Sequence, residues 1–432
     1  MAGNRVFNNA KWIIICRVVQ SILQLIVGML CARYLGPSNY GIINYAASIV
    51  AFVLPIMQLG FQATLVQEFV ERPQDEGKIL GTSIILDLFS ATVCTAFVWL
   101  FVSVVNHGET ETIIVCVLYS ISLFFRALEL FQCWFQYKLK SKYPSIIMLL
   151  AYTVVSLYRI YLLATSKDIY WFAVVNSIDC GIIGVSLLIV YRKLGGQKFS
   201  FSFKFARKLL NRSKYYIISS MMVTVFQSID HIMLKLIKDD AENGYFTAAL
   251  TTAVVCQFVY TAIVDSMRPV ILENKQKESV EYGKNISRLY SITTYLALAQ
   301  SMVFTIFAKP IIWILYGEEY MASANVLQVL VWFVMFSYMG SVRNIWILAE
   351  GKQSILWKIN LTGAVVNVSL NLFLIPWIGA VGAAIASLVT QIVANFVFGF
   401  IAKSLRPNNK LLLKGLNPKL PFEIIKILLV KK

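Results

Sequence analysis

Twelve apolar stretches of about 20 residues recur along the 432-residue chain, near 12–34, 40–64, 80–105, 113–136, 144–165, 169–191, 215–236, 245–267, 288–308, 324–348, 355–375 and 379–402. At about 1.5 Å of rise per residue, each can cross a hydrocarbon layer roughly 30 Å thick. In such a layer every backbone amide and carbonyl must be bonded within its own segment, so each stretch reads as an α-helix. The connections are short, and even the longest, about 192–214 and 268–287, leave no room for a folded extramembrane domain. Charged residues make up 14% of the chain, against roughly a quarter in soluble domains, so most of the surface is expected to face lipid. The expected fold class is an all-α polytopic membrane protein with twelve transmembrane helices. Lys11 opens an apolar run to Cys31 that lacks a small-residue cleavage site, so the first helix is expected to be retained.

Orientation follows from Lys and Arg placement. With the N-terminus inside and the loops alternating, 30 of the 39 basic residues fall on the cytoplasmic side. Arg33, Lys167, Lys235, Lys238 and Lys309 fall outside, and Arg17, Arg126, Arg159 and Arg343 lie within spans. This asymmetry predicts both termini inside. It also gives the net charge of +17 a sufficient cause in topology and anionic lipid, which leaves no reason to invoke nucleic acid. A shift of 203 residues lays Gln24 on Gln227, Gly41 on Gly244 and Ala46 on Ala249, a parallel repeat of two six-helix halves. The expected organisation is a six-helix lobe over 1–193, a basic linker over 194–214, a second lobe over 215–402 and a basic tail over 403–432. That tail, with Leu411, Leu412, Leu413 and Leu416 before basic residues, is expected on the inner membrane surface.

Polar side chains inside the spans carry the functional signal. Arg17, Gln20, Gln24 and Gly28 recur every three or four residues on one helix face. Similar stripes are Asn44–Ser48–Gln58–Gln62, Arg126–Glu129–Cys133–Gln136, Ser220–Thr224–Gln227–His231, Gln257–Thr261–Asp265–Arg268 and Asn360–Gly363–Asn367–Asn371. A lipid-facing helix would leave such groups unsatisfied, so they line either helix contacts or a hydrated path. Arg126 and Asp179 sit near the midpoints of their spans, and Asp230 lies about six residues from the outer end of its own. Arg17, Arg159, Arg343, Asp87 and Asp265 are closer to span ends, where snorkelling to water is the competing reading. For Arg126 the competing reading is an ion pair with Glu129 at i, i+3. The seven cysteines lie in apolar runs without a CxxC pair, and only His107 and His231 are histidines, so no metal site or disulfide framework is expected. No GxxxxGK[ST] phosphate cradle is present.

Three segments resemble a known family. Arg33 to Gly41, reading RYLGPSNYG, looks like the RYLGPxxYG turn of bacterial polysaccharide transporters, the O-antigen and exopolysaccharide flippases. Asn243 to Ala249 resembles their GxYxxA motif, with Asp230 matching an acidic residue common before it. Tyr316 to Tyr320, and Asn367 to Ser387 with its LNLFLIP and GAVGAAIAS stretches, resemble their C-terminal half. The resemblance implies the multidrug/oligosaccharidyl-lipid/polysaccharide exporter superfamily, with two six-helix lobes working by alternating access in the bacterial inner membrane. The implied substrate is a polyprenyl-pyrophosphate-linked oligosaccharide, with membrane lipids and polysaccharide polymerase and assembly proteins as partners. No catalytic residue and no cofactor is implied, and H+ and Na+ stay open as coupling ions. A pyrophosphate calls for cations and a sugar for hydrogen-bonding side chains. The substrate-binding candidates are therefore Arg17, Arg126, Arg159, Arg343, Gln24 and Asn44, and the coupling or gating candidates are Asp230, Glu129, Asp179 and Asp265. The rivals are a cation-coupled multidrug exporter of the same superfamily and a polytopic glycan polymerase or ligase, the latter disfavoured by the short outer loops.

Overall fold

The computed structural model describes residues 2–418 and 420, with side chains at Gln20 and from Leu23 onward except 218, 219, 226 and 227. Among the described residues there is no strand. The α-helices are α1 Ala2–Met57, α2 Phe61–Glu71, α3 Glu76–Val105, α4 Thr110–Ser120, α5 Ser122–Arg126, α6 Phe131–Tyr137, α7 Lys142–Ala164, α8 Ile169–Lys193 and α9 Phe203–Ile237. They continue as α10 Asp240–Ala253, α11 Gln257–Gln276, α12 Glu281–Ile306, α13 Ala308–Tyr316, α14 Ala322–Leu330, α15 Phe333–Ala349, α16 Leu356–Ile392, α17 Phe398–Ile401 and α18 Arg406–Gly415. Eight helical runs are long and apolar enough to cross a membrane, and ten when each of two bent pairs counts as one crossing.

Two of the eight runs are 49 residues long, more than twice a bilayer's need, and each contains a break. In α1 the break is Gly36, at φ 73° and ψ 170°, followed by Pro37. A side chain at Gly36 would be strained at that φ, and Pro37 removes an amide donor, so the RYLGPSNYG turn is where a helix must stop. In α16 the break is at Ile378 and Gly379, the latter at φ 54°. The helix restarting there is capped from elsewhere in the chain. Asp239 accepts the Glu242 amide at 2.9 Å to start α10, and the Glu242 carboxylate accepts the Ala380 amide at 2.5 Å. One acidic pair therefore serves two helix N-termini.

The chain forms two compact units, Met1–Lys235 and Leu236–Lys432. The boundary lies near the end of α9, so the stretch expected as a linker groups with the first unit. Within that unit one core gathers Phe61, Leu65, Phe69, Phe131, Trp134 and Tyr191, and a second gathers Tyr45, Ile49, Val53, Val98 and Leu123. The second unit's core gathers Tyr290, Val342, Trp346, Ile359 and Leu412. The repeat positions are equivalent in burial: Ala46 and Ala249 are fully enclosed, and Gly41 and Gly244 are buried, each in its own unit. The tail helix α18 is docked on α12: Tyr290 Oη donates to Asn408 at 3.0 Å, Ser287 Oγ to the Leu411 carbonyl at 3.0 Å and Tyr295 Oη to the Leu416 carbonyl at 2.7 Å. Leu412 is thus a core residue. The tail beyond Leu420 lies outside the described residues.

Candidate functional site

The fourth apolar stretch is one continuous run in sequence but several pieces in structure. α4 ends at Ser120, α5 covers five residues, and a 3₁₀ turn over Ala127–Leu130 leads into α6. Side chains three apart eclipse one another in a 3₁₀ turn, so Arg126 and Glu129 come to lie one above the other. Arg126 Nη1 is 3.9 Å from Glu129 Oε1, and the two side chains are 27% and 15% exposed. Arg126 Nε is buried without a hydrogen-bond partner, as is Oδ1 of Asp179 on α8. Asp179 is within Coulombic reach of both Arg126 and Arg159, the latter on α7. Tyr119 lies within Coulombic reach of both arginines, and Tyr152 within that of Arg159 and Asp179.

Four of the ten site residues expected from sequence therefore form one cluster in the first unit: Arg126, Glu129, Asp179 and Arg159. The two tyrosines were missed, although a signal existed. Tyr119 precedes Arg126 by seven residues and Tyr152 precedes Arg159 by seven, two helical turns on the same face. The cluster holds two cations, two carboxylates and two phenols, partly open and only loosely paired at 3.9 Å. Such groups can engage an anionic, hydroxyl-rich ligand without first breaking tight contacts.

The other expected residues sit elsewhere. The side chains of Arg17 and Gln227 lie outside the described residues. Gln24 is exposed on α1, and Asn44 donates Nδ2 to the Tyr40 carbonyl at 2.8 Å, a bond within its own helix. Asp265 is exposed on α11 and pairs with Arg268 at 3.3 Å, while Asp230 and His231 are buried on α9. Arg343 does not snorkel. It is 5% exposed on α15 and donates Nη1 to the Ala394 carbonyl at 2.8 Å and Nη2 to Asn344 Oδ1 at 3.2 Å. Asp87 does not snorkel either: it is fully buried on α3, and neither oxygen has a partner. In the stripe of α16, Asn371 Nδ2 donates to Asn367 Oδ1 at 3.0 Å, one turn along the same helix, and both side chains are buried.

Sequence reasoning also passed over a set of clamping acids at the helix ends. Fully buried Glu68 on α2 accepts from Arg212 of α9 at 2.5 Å, and Glu71 accepts from the same guanidinium at 2.9 Å. Glu76 binds Lys138 at 2.5 Å and the Trp134 indole at 2.7 Å. Glu109, in the turn between α3 and α4, binds Lys235 at 2.7 Å and also Asn106 and Thr112. Burial pushes the Glu109 carboxyl up, but the bonds from Lys235 and Thr112 outweigh it and hold the group below the usual carboxylate range. Among the described residues no group of three or more His, Cys, Asp or Glu side chains is placed to hold a metal ion.

A family profile described as polysaccharide biosynthesis protein matches residues 6–275. An uncharacterized membrane protein of Methanocaldococcus jannaschii is 27% identical over 56% of this chain, which spans about half (49%) of that relative's length. The capsular polysaccharide biosynthesis protein CapF of Staphylococcus aureus is 21% identical over 91% of this chain and 98% of its own. A putative O-antigen transporter of Escherichia coli (strain K12) is 22% identical over 90% of this chain and 94% of its own. Among solved structures, the lipid II flippase MurJ in an inward closed conformation superposes with a TM-score of 0.76 at 15% identity, covering 96% of this chain and 92% of that one. An inward-facing multidrug resistance MATE family transporter gives 0.65 at 14% identity, over 91% and 96%. These structural likenesses concern the fold.

Proposed function

Because the chain belongs to the polysaccharide biosynthesis protein family, a family of multi-pass membrane transporters, we propose that it flips a polyprenyl-pyrophosphate-linked oligosaccharide from the inner to the outer leaflet. The observation that carries this reading is the cluster of Arg126, Arg159, Glu129 and Asp179 with its flanking tyrosines. Its loose pairing and partial exposure suit a diphosphate joined to a sugar. A carrier for cationic drugs would use buried acids without buried arginines beside them, so the cluster favours the glycan lipid over the multidrug exporter. The named relatives support the same choice, since CapF and the O-antigen transporter are polysaccharide proteins by description.

We propose twelve crossings with both termini inside. Counting each of the two broken 49-residue runs as two crossings raises ten to twelve. Side-chain pairings support the alternation. Arg212 with Glu68, Lys138 with Glu76 and Lys275 with Glu350 join loops assigned to the inside, whereas Lys235 with Glu109, Tyr34 with the Lys167 carbonyl and Glu242 with the Ala380 amide join loops assigned to the outside. Alternating access needs a hydrated face in each half. Gln24 in the first unit, and Gln257, Thr261 and Asp265 in the second, present exposed polar groups at membrane depth.

The test is reconstitution into liposomes with a fluorescent prenyl-diphosphate-linked oligosaccharide, read by a reductant that cannot cross the bilayer. Protein-dependent loss of the protected inner-leaflet fraction is expected. Scrambling of the glycan lipid no faster than in empty liposomes, with efflux of a cationic dye instead, would select the multidrug reading.

A further inference from the structure

A second basic site lies away from the Arg126 cluster, where the stretch before α9 folds back on α3. Residues 197–202 run directly against that helix. The Gly77 amide donates to Gln197 Oε1 at 3.0 Å, the Ser200 amide to the Gly77 carbonyl at 3.3 Å and the Ser202 amide to Thr82 Oγ1 at 3.1 Å. The approach requires glycine at 77 and 81, because a Cβ at Gly81 would stand 2.6 Å from the Ser200 carbonyl oxygen and one at Gly77 would collide with the Lys198 carbonyl. The first turns of α9 are then fixed by Arg212 on Glu68 and Glu71 and by Ser213 Oγ, 2.9 Å from Thr64 Oγ1. Phe205 and Leu209 are buried beneath.

These anchors enclose an open cavity of about 1080 Å³ whose lining includes Arg72, Lys78, Lys204, Arg207, Lys208 and Lys214 and no acidic residue. Arg72 and Lys208 lie 4.0 and 3.9 Å from Glu68, whereas Lys78, Lys204, Arg207 and Lys214 have no carboxylate within 4.0 Å among the described residues. Four uncompensated cations held on a fixed frame present a multiply charged anion with binding groups already in place. The surroundings place that anion at headgroup depth. Phe203 is 78% exposed and Tyr215 71% exposed, aromatic side chains of the kind that sit at membrane–water interfaces. One phospholipid phosphodiester would leave most of the charge unanswered, whereas a diphosphate brings at least twice as much negative charge on one headgroup.

We propose that this cavity binds the diphosphate headgroup of a prenyl lipid before the lipid reaches the Arg126 cluster. That the anion belongs to a lipid rests on the flippase reading above; that a diphosphate binds here does not. The test uses the full-length protein in non-ionic detergent, with farnesyl diphosphate titrated calorimetrically and inorganic pyrophosphate and farnesol as comparison ligands. The variant Lys204→Ala with Arg207→Ala removes two exposed, uncompensated charges and leaves the Glu68 clamp alone. Lys410→Ala with Lys414→Ala on α18 removes the same charge elsewhere. Farnesyl diphosphate is expected to bind the wild type and the α18 variant alike and the cavity variant at least about tenfold more weakly. Lys78→Met, on the opposite wall, is expected to weaken it in the same direction. Pyrophosphate should bind more weakly than farnesyl diphosphate, with the same dependence on Lys204 and Arg207, and farnesol should show no such dependence. Equal affinity in both double variants overturns the site. Pyrophosphate binding as tightly as farnesyl diphosphate overturns the lipid and leaves a site for free anion. A wild type that binds in this way yet exports no glycan refutes the flippase reading and leaves the site standing. Export with binding indifferent to Lys204 and Arg207 does the reverse.

Discussion

Replacing Arg126 separates structure from transport. At 3.9 Å its attraction to Glu129 amounts to about 4 kcal/mol at an effective dielectric near 20. Placing an arginine near mid-bilayer costs about 2.5–3.5 kcal/mol even on insertion scales. The two terms nearly cancel, so the pair contributes only about 0.5–1.5 kcal/mol to the folded state. Arg126→Ala should therefore leave membrane abundance close to wild type, lowering the thermal midpoint by a few degrees at most. Its effect on export should be larger. A charge-assisted contact to a phosphate is worth about 1.5–3 kcal/mol, which is roughly ten- to a hundredfold in affinity. The assay is surface glycan in a strain lacking its own flippase, normalised to protein in the membrane fraction. Arg126→Ala with Glu129→Ala should regain the thermal midpoint, because no lone charge is left, and should still fail to export. Arg126→Lys keeps the charge without the bidentate fork and should be partly active. Wild-type export by Arg126→Ala at wild-type abundance would refute the assignment of Arg126 to the substrate site.

Removing Arg212 leaves fully buried Glu68 with only Lys208 and Arg72 near 4 Å. Breaking a buried pair costs about 3–5 kcal/mol, and the two remaining cations reduce this to about 2 kcal/mol, so Arg212→Ala should lower the thermal midpoint more than the double Arg212→Ala, Glu68→Ala does; the opposite order would refute the clamp. Burial pushes the Glu350 carboxyl up, but hydrogen bonds from Lys275 at 2.7 Å and Tyr282 at 2.9 Å outweigh it and hold it below its ordinary value of 4.5. A depressed folded value means the stabilisation is complete above the unfolded value and is lost as pH falls below it. The midpoint advantage of wild type over Glu350→Gln should thus be present in full at pH 6 and shrink progressively as pH falls below 4.5, and an advantage independent of pH would discard the carboxylate's role. With native cysteines replaced, an impermeant maleimide should label Asp240→Cys but not Lys204→Cys in intact cells; labelling of Lys204→Cys would overturn the orientation.

What could be read from sequence depended on how far apart the interacting groups lie. Apolar runs and basic loops are local or additive, so the helical architecture followed directly from them, and the RYLGPSNYG turn could be placed because Gly36 and Pro37 carry their own backbone constraints. The Arg126–Glu129 contact was legible at i, i+3, although the 3₁₀ turn that aligns the two was not. Pairings between distant segments left no trace. Glu68 and Arg212 are 144 residues apart and Glu242 and Ala380 are 138, and nothing in one segment specifies the other. The snorkelling readings of Asp87 and Arg343 failed for a related reason. Distance from a span end says how far water is, but not which neighbour covers the helix face. On α15 that neighbour supplies a backbone carbonyl.

The carbonyl in question belongs to a π-helical turn over Val393–Val397, the segment that Arg343 bonds through Ala394. A π turn is an α-helix with one residue too many, and one residue is about 100° of rotation. Everything from there to the end of α17 therefore runs in a phase that the first part of the helix would not set, before Ala402 (φ −75°, ψ 108°) leaves the helix ahead of α18. Deleting any single residue between 393 and 397 would restore regular winding and turn Gly399 of α17 about 100° from Asn409, against which it packs too closely for a side chain. In this respect the extra residue acts as a key cut into the helix, with the arginine as the ward that fits it, and the docking of the tail is the lock they hold shut.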